Sequence, residues 1–386
     1  LIDNNLYFIL LPPKYNYLKI KSMKKLIFSA LVATAVCISS CSKDGDGGGG
    51  SGSGLPGTLY VDFATDGIQS YNFSNGKLNK VVKTMNGAGI TGCDITYGSG
   101  EIAISVGIVP LSVGVVQDTQ TFLLRPWDGK NAQFSYKEVP QTGNIFSFTW
   151  THPTKSFYKE SIIRISPNKK YIAVDSNYWE ERGVLLFNTQ TGKLIADFSK
   201  GLTKDDFSNQ STPVWTESNE MYSAIKGVLY RWKESYGDRV EKVLTLNEGR
   251  GASGVTVNPQ GTRVAFRYNK HLWVQNIDGS DLHQQTHSEI KDFKYEGEYH
   301  PVFSPDGKYI ALVGSSRIGG SWTDYDPLQP RFGGTVVVGN GYGYVFVIRD
   351  DGKLYDLEND KSGFIVLRKE GGKSGVPAYF SGMMWR

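Results

Sequence analysis

Three segments far apart in the chain share one pattern of hydrophobic and polar positions: ISPNKKYIAV (165–174), VNPQGTRVAF (257–266) and FSPDGKYIAL (303–312). Each has an apolar approach, a turn of Pro, Asn, Asp or Gly, and then a strand of period-two character. Proline fixes φ, while Asn, Asp and Gly accept positive φ, so the turn chemistry is specified. The flanking alternation predicts half-buried β-strands. VWTESNEMYSAI (214–225) and ITYGSGEIAIS (95–105) are weaker copies. Pro167, Pro259 and Pro305 lie 92 and 46 residues apart, and the 214–225 copy fills the longer gap. A third strand follows in GVLLFNTQTGK (183–193), GVLYRWKES (227–235), HLWVQNIDGSD (271–281) and YVFVIRDDGK (344–353), then a polar turn and a more polar fourth strand. A unit near 46 residues with four strands has the period of a propeller blade. No long amphipathic helix of the kind a helical solenoid needs is visible.

The two ends of the repeat region complete the count. Segments around 58–63, 68–73 and 78–83 predict three strands without a partner unit, and PAYFSGMMWR (377–386) resembles the first strand of a unit. One C-terminal strand beside three N-terminal strands makes a blade and removes the edges an open sheet would expose. With five internal units, the expected fold is all-β: a six-bladed β-propeller of four-stranded antiparallel blades. A seventh blade would have to be hidden in 313–376.

The units SPDGKYIAL and LWVQNIDG resemble the TolB-type, WD40-like propeller repeat, with its S-P-D-G-K turn and tryptophan-bearing third strand. The resemblance covers about five blades. It implies a fold and leaves function open, because such repeats occur in binding proteins and beside enzymes. The TolB family carries an α/β domain ahead of its propeller, whereas here a glycine-rich tract runs directly into GTLYVDFATDGIQSYNF (57–73).

That tract follows an apolar run. Lys24 and Lys25 precede Leu26–Ile38, which is almost wholly apolar or small, and the run stops at Ile38-Ser39-Ser40-Cys41. A charged start, a short apolar core and small residues describe a secretory signal peptide. The core is shorter than the ~20 residues of a membrane-spanning helix. The border resembles the bacterial lipobox, which implies cleavage before Cys41 and lipidation of that cysteine. The expected organisation is 1–22 as upstream read-through before Met23, 23–40 as signal peptide, 41–56 as lipidated Gly/Ser tether and 57–386 as propeller. Lys43, Asp44 and Asp46 behind the cysteine resemble the surface-export signal of Bacteroidetes-type lipoproteins. The expected address is therefore the outer membrane, displayed at the surface or facing the periplasm, with the lipid as the only membrane contact.

Removing the leader changes the charge. The whole chain has 42 basic and 38 acidic residues, but residues 41–386 hold 37 of each. No basic excess points to nucleic acid. Cys93 would stand alone once Cys41 is lipidated, so no disulfide framework or cysteine metal site is expected.

Candidate chemistry comes from loop lengths. In a propeller, the turns between strands one and two and between three and four share one face. Here these are SPDGK, SPNKK, NPQG, TQTGK and DDGK, all tight. The long connections, near 107–120, 140–160, 176–183, 200–212, 288–299 and 315–343, fall on the other face. Long loops on a rigid scaffold are where binding concentrates. Those loops offer Trp150 and His152, then Tyr178, Trp179, Glu180 and Arg182, then Trp322, Asp324, Tyr325 and Arg331. Aromatic faces beside carboxylates and arginines suit a peptide or a sugar ring. The expected partner is an envelope protein, peptide or glycan, with no cofactor, metal or catalytic residue assigned. The competing reading is a polysaccharide lyase or glycoside hydrolase on the same face, for which Asp324 with Asp326, or His300 beside the central channel, would be the groups to test. No G-x-S-x-G serine-hydrolase motif is present.

Overall fold

The computed structural model describes residues 54–63, 67–83, 90–97, 100–107, 119–127, 132–133, 143–151, 162–176, 183–198, 211–287, 297–314, 343–370, 375–378 and 383–386. Among them are six antiparallel sheets in ring order. The first joins β1 (Leu59–Phe63), β2 (Gly67–Tyr71) and β3 (Leu78–Lys83) to the C-terminal β26 (Met383–Trp385). The second is β4 (Ile90–Ile95), β5 (Glu101–Gly107), β6 (Thr119–Pro126) and β8 (Phe146–Thr151), while the short β7 (Ala132–Gln133) pairs parallel to β3. The third is β9 (Ile162–Ile165), β10 (Tyr171–Ser176), β11 (Gly183–Asn188) and β12 (Leu194–Asp197). The fourth is β13 (Val214–Trp215), β14 (Met221–Ile225), β15 (Val228–Trp232) and β16 (Glu241–Thr245). The fifth is β17 (Ser253–Val257), β18 (Arg263–Tyr268), β19 (His271–Asn276) and β20 (His283–Gln284). The sixth is β21 (Tyr299–Phe303), β22 (Tyr309–Gly314), β23 (Gly343–Arg349) and β24 (Ile365–Val366), with β25 (Pro377–Ala378) against β23.

The core is divided into six clusters, and each is shared by two neighbouring blades. Leu59, Val61 and Trp385 of the first blade pack with Val313 and Val345 of the sixth. Tyr60 and Met384 pack with Ile102 and Leu123 of the second blade. The same alternation carries the chain around the ring through the remaining four clusters. The described clusters therefore close a circle of six blades. The second and third strands differ from the half-buried expectation. Tyr171–Val174 are all buried, as are Val184–Phe187, because stacked blades cover both faces of the sheet.

Closure is made at the C-terminus. β26 pairs with β1 in the register Leu59↔Trp385, and Thr58 and Arg386 exchange backbone hydrogen bonds. The indole of Trp385 donates to the Pro56 carbonyl at 2.6 Å. Only Met383–Trp385 of the expected 377–386 strand do this. Pro377–Ala378 add to the sixth blade instead, so the last ten residues bridge both sides of the seam.

Tight turns interlock around one face. Lys169 meets Glu101 across blades at 2.6 Å, the Asn168 amide donates to Asn219, and the Glu217 amide donates to the Pro259 carbonyl. The Gln260 amide group donates to the Pro305 carbonyl. Gly57 continues the series: at φ +70° it lies where a Cβ would strike the Arg386 carbonyl and Pro305.

Candidate functional site

Six strands, β26, β4, β9, β13, β17 and β21, stand first in their blades and surround the axis. Five of them end at the hydrogen bond that opens a tight turn, Thr96 to Glu101, Ser166 to Tyr171, Thr216 to Glu220, Asn258 to Arg263 and Ser304 to Tyr309, and β26 ends at the matching bond from Arg386 to Thr58. Counting two residues back gives one level around the ring: Asp94, Arg164, Val214, Thr256, Val302 and, in the closing blade, Met384. Two of these six positions carry a full charge where the others are apolar or hydroxylic. All but Asp94 line a central cavity of about 80 Å³.

The charges are held by named contacts. Asp94 is fully buried; its Oδ1 accepts from Arg386 Nη2 at 3.0 Å and its Oδ2 from the Ile165 amide at 2.8 Å. Arg386 also donates from Nε to the Ile95 carbonyl and lies 4.0 Å from the Tyr97 ring centre. The Tyr97 hydroxyl donates to the Trp215 carbonyl, and the Trp215 indole to the Arg164 carbonyl. Burial opposes the Arg386 charge, but Tyr97 and Asp94 outweigh it and raise its pKa. Arg164 goes the other way. Burial lowers its pKa, Asp94 pulls it back up, and Arg386 lowers it again. One carboxylate serves two guanidiniums, and Arg386 holds it.

His300 reaches the same cavity from β21. The strand is irregular between Tyr299 and Val302, and His300 sits at φ 50°. Gly254 occupies the matching place one repeat earlier, at φ 56° within the irregularity between Ser253 and Thr256. A bulge of this kind re-aims a side chain. Burial, then the Arg267 guanidinium, push the His300 imidazole down to about 4.

A second, open groove of about 640 Å³ lies on the outer part of blades five and six, lined by Asn269, His271, Trp273, Gln284, His287 and Asp356. Tyr268 meets the Trp273 ring edge-on at 5.9 Å. His271 Nδ1 lies 3.3 Å from the buried Glu298 carboxylate.

Of the residues expected to bind a ligand, Trp150 is described. It stands on β8, half-buried, with its ring 5.0 Å from Phe187 in the core between blades two and three. The supposed single connection 140–160 is thus interrupted by a fourth strand. His152, Tyr178, Trp179, Glu180, Arg182, Trp322, Asp324, Tyr325, Arg331 and the lipidation candidate Cys41 lie outside the described residues. Sequence reading passed over Asp94, Arg164 and Arg386. The signal was there: aligning the repeats on their turns puts CDIT and IRIS beside PVFS.

No family model matches the chain, and no curated protein matches it. Solved structures similar to it include TolB from Acinetobacter baumannii, with 14% identity, a TM-score of 0.44, and 78% of this chain covered. The match spans 64% of that chain's length, less than two thirds of it. A protein described as TolB from Agrobacterium tumefaciens shows 13% identity and a TM-score of 0.39, over 77% of this chain and 86% of that one. A functionally unknown protein from Desulfotomaculum acetoxidans shows 8% identity and a TM-score of 0.40, over 77% of each chain.

Proposed function

We propose that this protein is a lipid-anchored binding protein of the cell envelope, holding a protein, peptide or glycan partner on the long-loop face of its propeller. The observation that carries the reading is the polarity of the ring. Gly57 and Thr58 enter beside Pro305 and Arg386, on the tight-turn face. A lipid anchor at Cys41 would join the propeller on that side, which favours the opposite face for a partner. The tight turns are also engaged with one another, which suits a structural face. Trp273 beside Asn269, Gln284 and Asp356 adds an aromatic and polar groove of the sort that takes sugars or peptides. Among the described residues no helix is long and apolar enough to cross a membrane.

Three experiments test this. Labelled fatty acid should enter the parent and not Cys41→Ala; persistent incorporation in the variant rejects the anchor. Protease treatment of intact cells should cut the protein alongside a known surface protein if it is displayed outside. Binding is tested by pull-down and glycan array with the unlipidated Cys41→Ala chain. Alanine at Trp179, Trp322 and Tyr325 should abolish capture, while Lys308→Ala on the opposite face should not. The reverse result would show that the wrong face has been chosen. Turnover of a polysaccharide that disappears with Asp324→Asn or His300→Ala would replace the binding reading with the lyase or hydrolase one.

A further inference from the structure

The central cavity holds a charge that the surrounding protein leaves uncompensated. Its lining includes Arg164 and Arg386, a neutral His300 and no acidic side chain. Asp94, behind the wall, has both oxygens engaged by Arg386 and the Ile165 amide. Arg164 is 8% exposed, and among the described residues the one hydrogen bond its guanidinium makes goes to the Ile163 carbonyl at 2.8 Å. A guanidinium has five N–H donors in a fixed fork. Buried charges are ordinarily paired, because removing them from water is costly. Arg164 has no carboxylate to itself, because Asp94, which attracts it, is held by Arg386, and its side chain borders the cavity.

A second feature points into the same space. His300 takes up a left-handed backbone conformation that the preceding repeat assigns to Gly254. Such a conformation is strained for a residue with a Cβ, and strain of this kind collects at binding sites. Here it turns an imidazole into the channel.

We propose that the central channel is a receptor for a carboxylate, held by the unused donors of Arg164. Arg386 adds positive potential, and His300 borders the same space. Three properties select the chemistry. One uncompensated charge matches a monoanion. The planar fork of arginine matches the two oxygens of a carboxylate. Beside the hydroxyls of Thr212 and Thr256, the wall carries Val214, Val255, Phe303 and Met383, which suits a short aliphatic stem better than a phosphate. A cavity of about 80 Å³ is several times what one water needs. The site is independent of any partner on the long-loop face. Its ligand would be either a small free acid or a carboxylate carried by a peptide.

The experiment uses the full chain and follows thermal shift and calorimetry with sodium butyrate, butyramide, and sodium chloride at matched ionic strength. A parallel arm uses a short peptide with a free C-terminal carboxylate and its amidated form. Butyrate or the free peptide should stabilise the parent saturably, and chloride, butyramide and the amidated peptide should not. Whichever of the two carboxylates binds more tightly identifies the source. Arg164→Gln should weaken binding by about tenfold or more, the loss expected for one charge-assisted hydrogen-bonded pair, and Arg164→Lys, which keeps the charge and loses the fork, should restore only part of it. Failure of both carboxylates to exceed their controls, or an unchanged response in Arg164→Gln, overturns the proposal. Should Arg164→Gln not fold, the parent decides alone. Trp215 and Trp385 line the cavity, so at least one of the two carboxylates must change tryptophan emission saturably where its amide does not; equal responses in both arms overturn it.

Discussion

His300 combines two unfavourable circumstances, a positive φ and an imidazole whose burial holds its pKa at about 4. Each has its own prediction. His300→Gly removes the Cβ from a left-handed backbone position, as Gly254 does in the repeat before. Relief of strain of about 1 kcal/mol or more should then offset part of the packing lost. The titration has a definite sign. Below its ordinary value near 6.5 the imidazole is protonated in the unfolded chain but stays neutral in the folded one. The unfolded state therefore binds more protons between about pH 6.5 and 4. Stability from this group is complete above pH 6.5 and declines as pH falls through that window, by a total on the order of 3 kcal/mol. Denaturant unfolding of parent and His300→Gly across pH 4–7 reads it directly: the variant's profile should be flatter, and parallel profiles would show that His300 is not the group titrating. The His-Pro pair stood out in the sequence because it precedes an inner strand. Its backbone strain did not, since only the register against β22 shows the irregularity.

At the scale of elements, the strands were legible because each repeat couples an apolar run to a turn whose residues permit one backbone path. Phe146–Thr151 shows where that reading slipped. Phe146, Phe148 and Trp150 are half-buried while Ser147, Thr149 and Thr151 are exposed, an alternation plainly present in FSFTWT. The aromatic residues had suggested a ligand loop, whereas in the strand they pack on Phe122 and Phe187. Contacts between blades were not legible, because they join turns some 40 to 90 residues apart. The strongest of them is Arg263, which grips Asp350 of the next blade with two bonds of 2.9 and 2.8 Å and also engages Asn276 and Asp281. Asp350 is nearly buried and Arg263 mostly so. Asp350→Ala leaves that guanidinium short of its main partner. Loss of such a pair costs about 3–5 kcal/mol when fully buried, and the partial exposure of Arg263 places the expected loss toward 2–3 kcal/mol. Equilibrium urea unfolding measures it, and Arg263→Met with Asp350→Leu should recover most of the stability. A loss below about 0.5 kcal/mol, typical of surface pairs, would show that the staple is not holding the blades.

For the whole molecule, the decisive question is what keeps a ring of six similar blades from opening. The repeats themselves cannot answer it, because each interface between internal blades resembles the next. The seam differs: it is the one place where residues from the two ends of the described chain share a sheet. Met383–Trp385 supply the inner strand of the first blade, and Pro377–Ala378 reach back to the sixth. Trp385 lies in the cluster between these blades with Leu59, Phe73, Val313 and Val345, and its ring is 5.6 Å from Phe73. It also ties Pro56 to the closing strand. Truncating a buried tryptophan to alanine costs about 3–5 kcal/mol, set against roughly 5–15 kcal/mol for a whole domain. Trp385→Ala should therefore lower the melting temperature by many degrees. The control is Phe198→Ala, which also truncates a buried aromatic ring but lies in the core between blades three and four. It should cost a similar amount in ΔG yet leave the ring closed. Removal of 377–386 goes further, because it strips an inner strand and exposes the edges of β1 and β23. Aggregation through those edges is the expected result, and native hydrogen exchange of Trp385→Ala should show the first and sixth blades opening before the third and fourth. Uniform exchange around the ring, or a truncated chain that melts with the parent, would mean that closure does not depend on this seam.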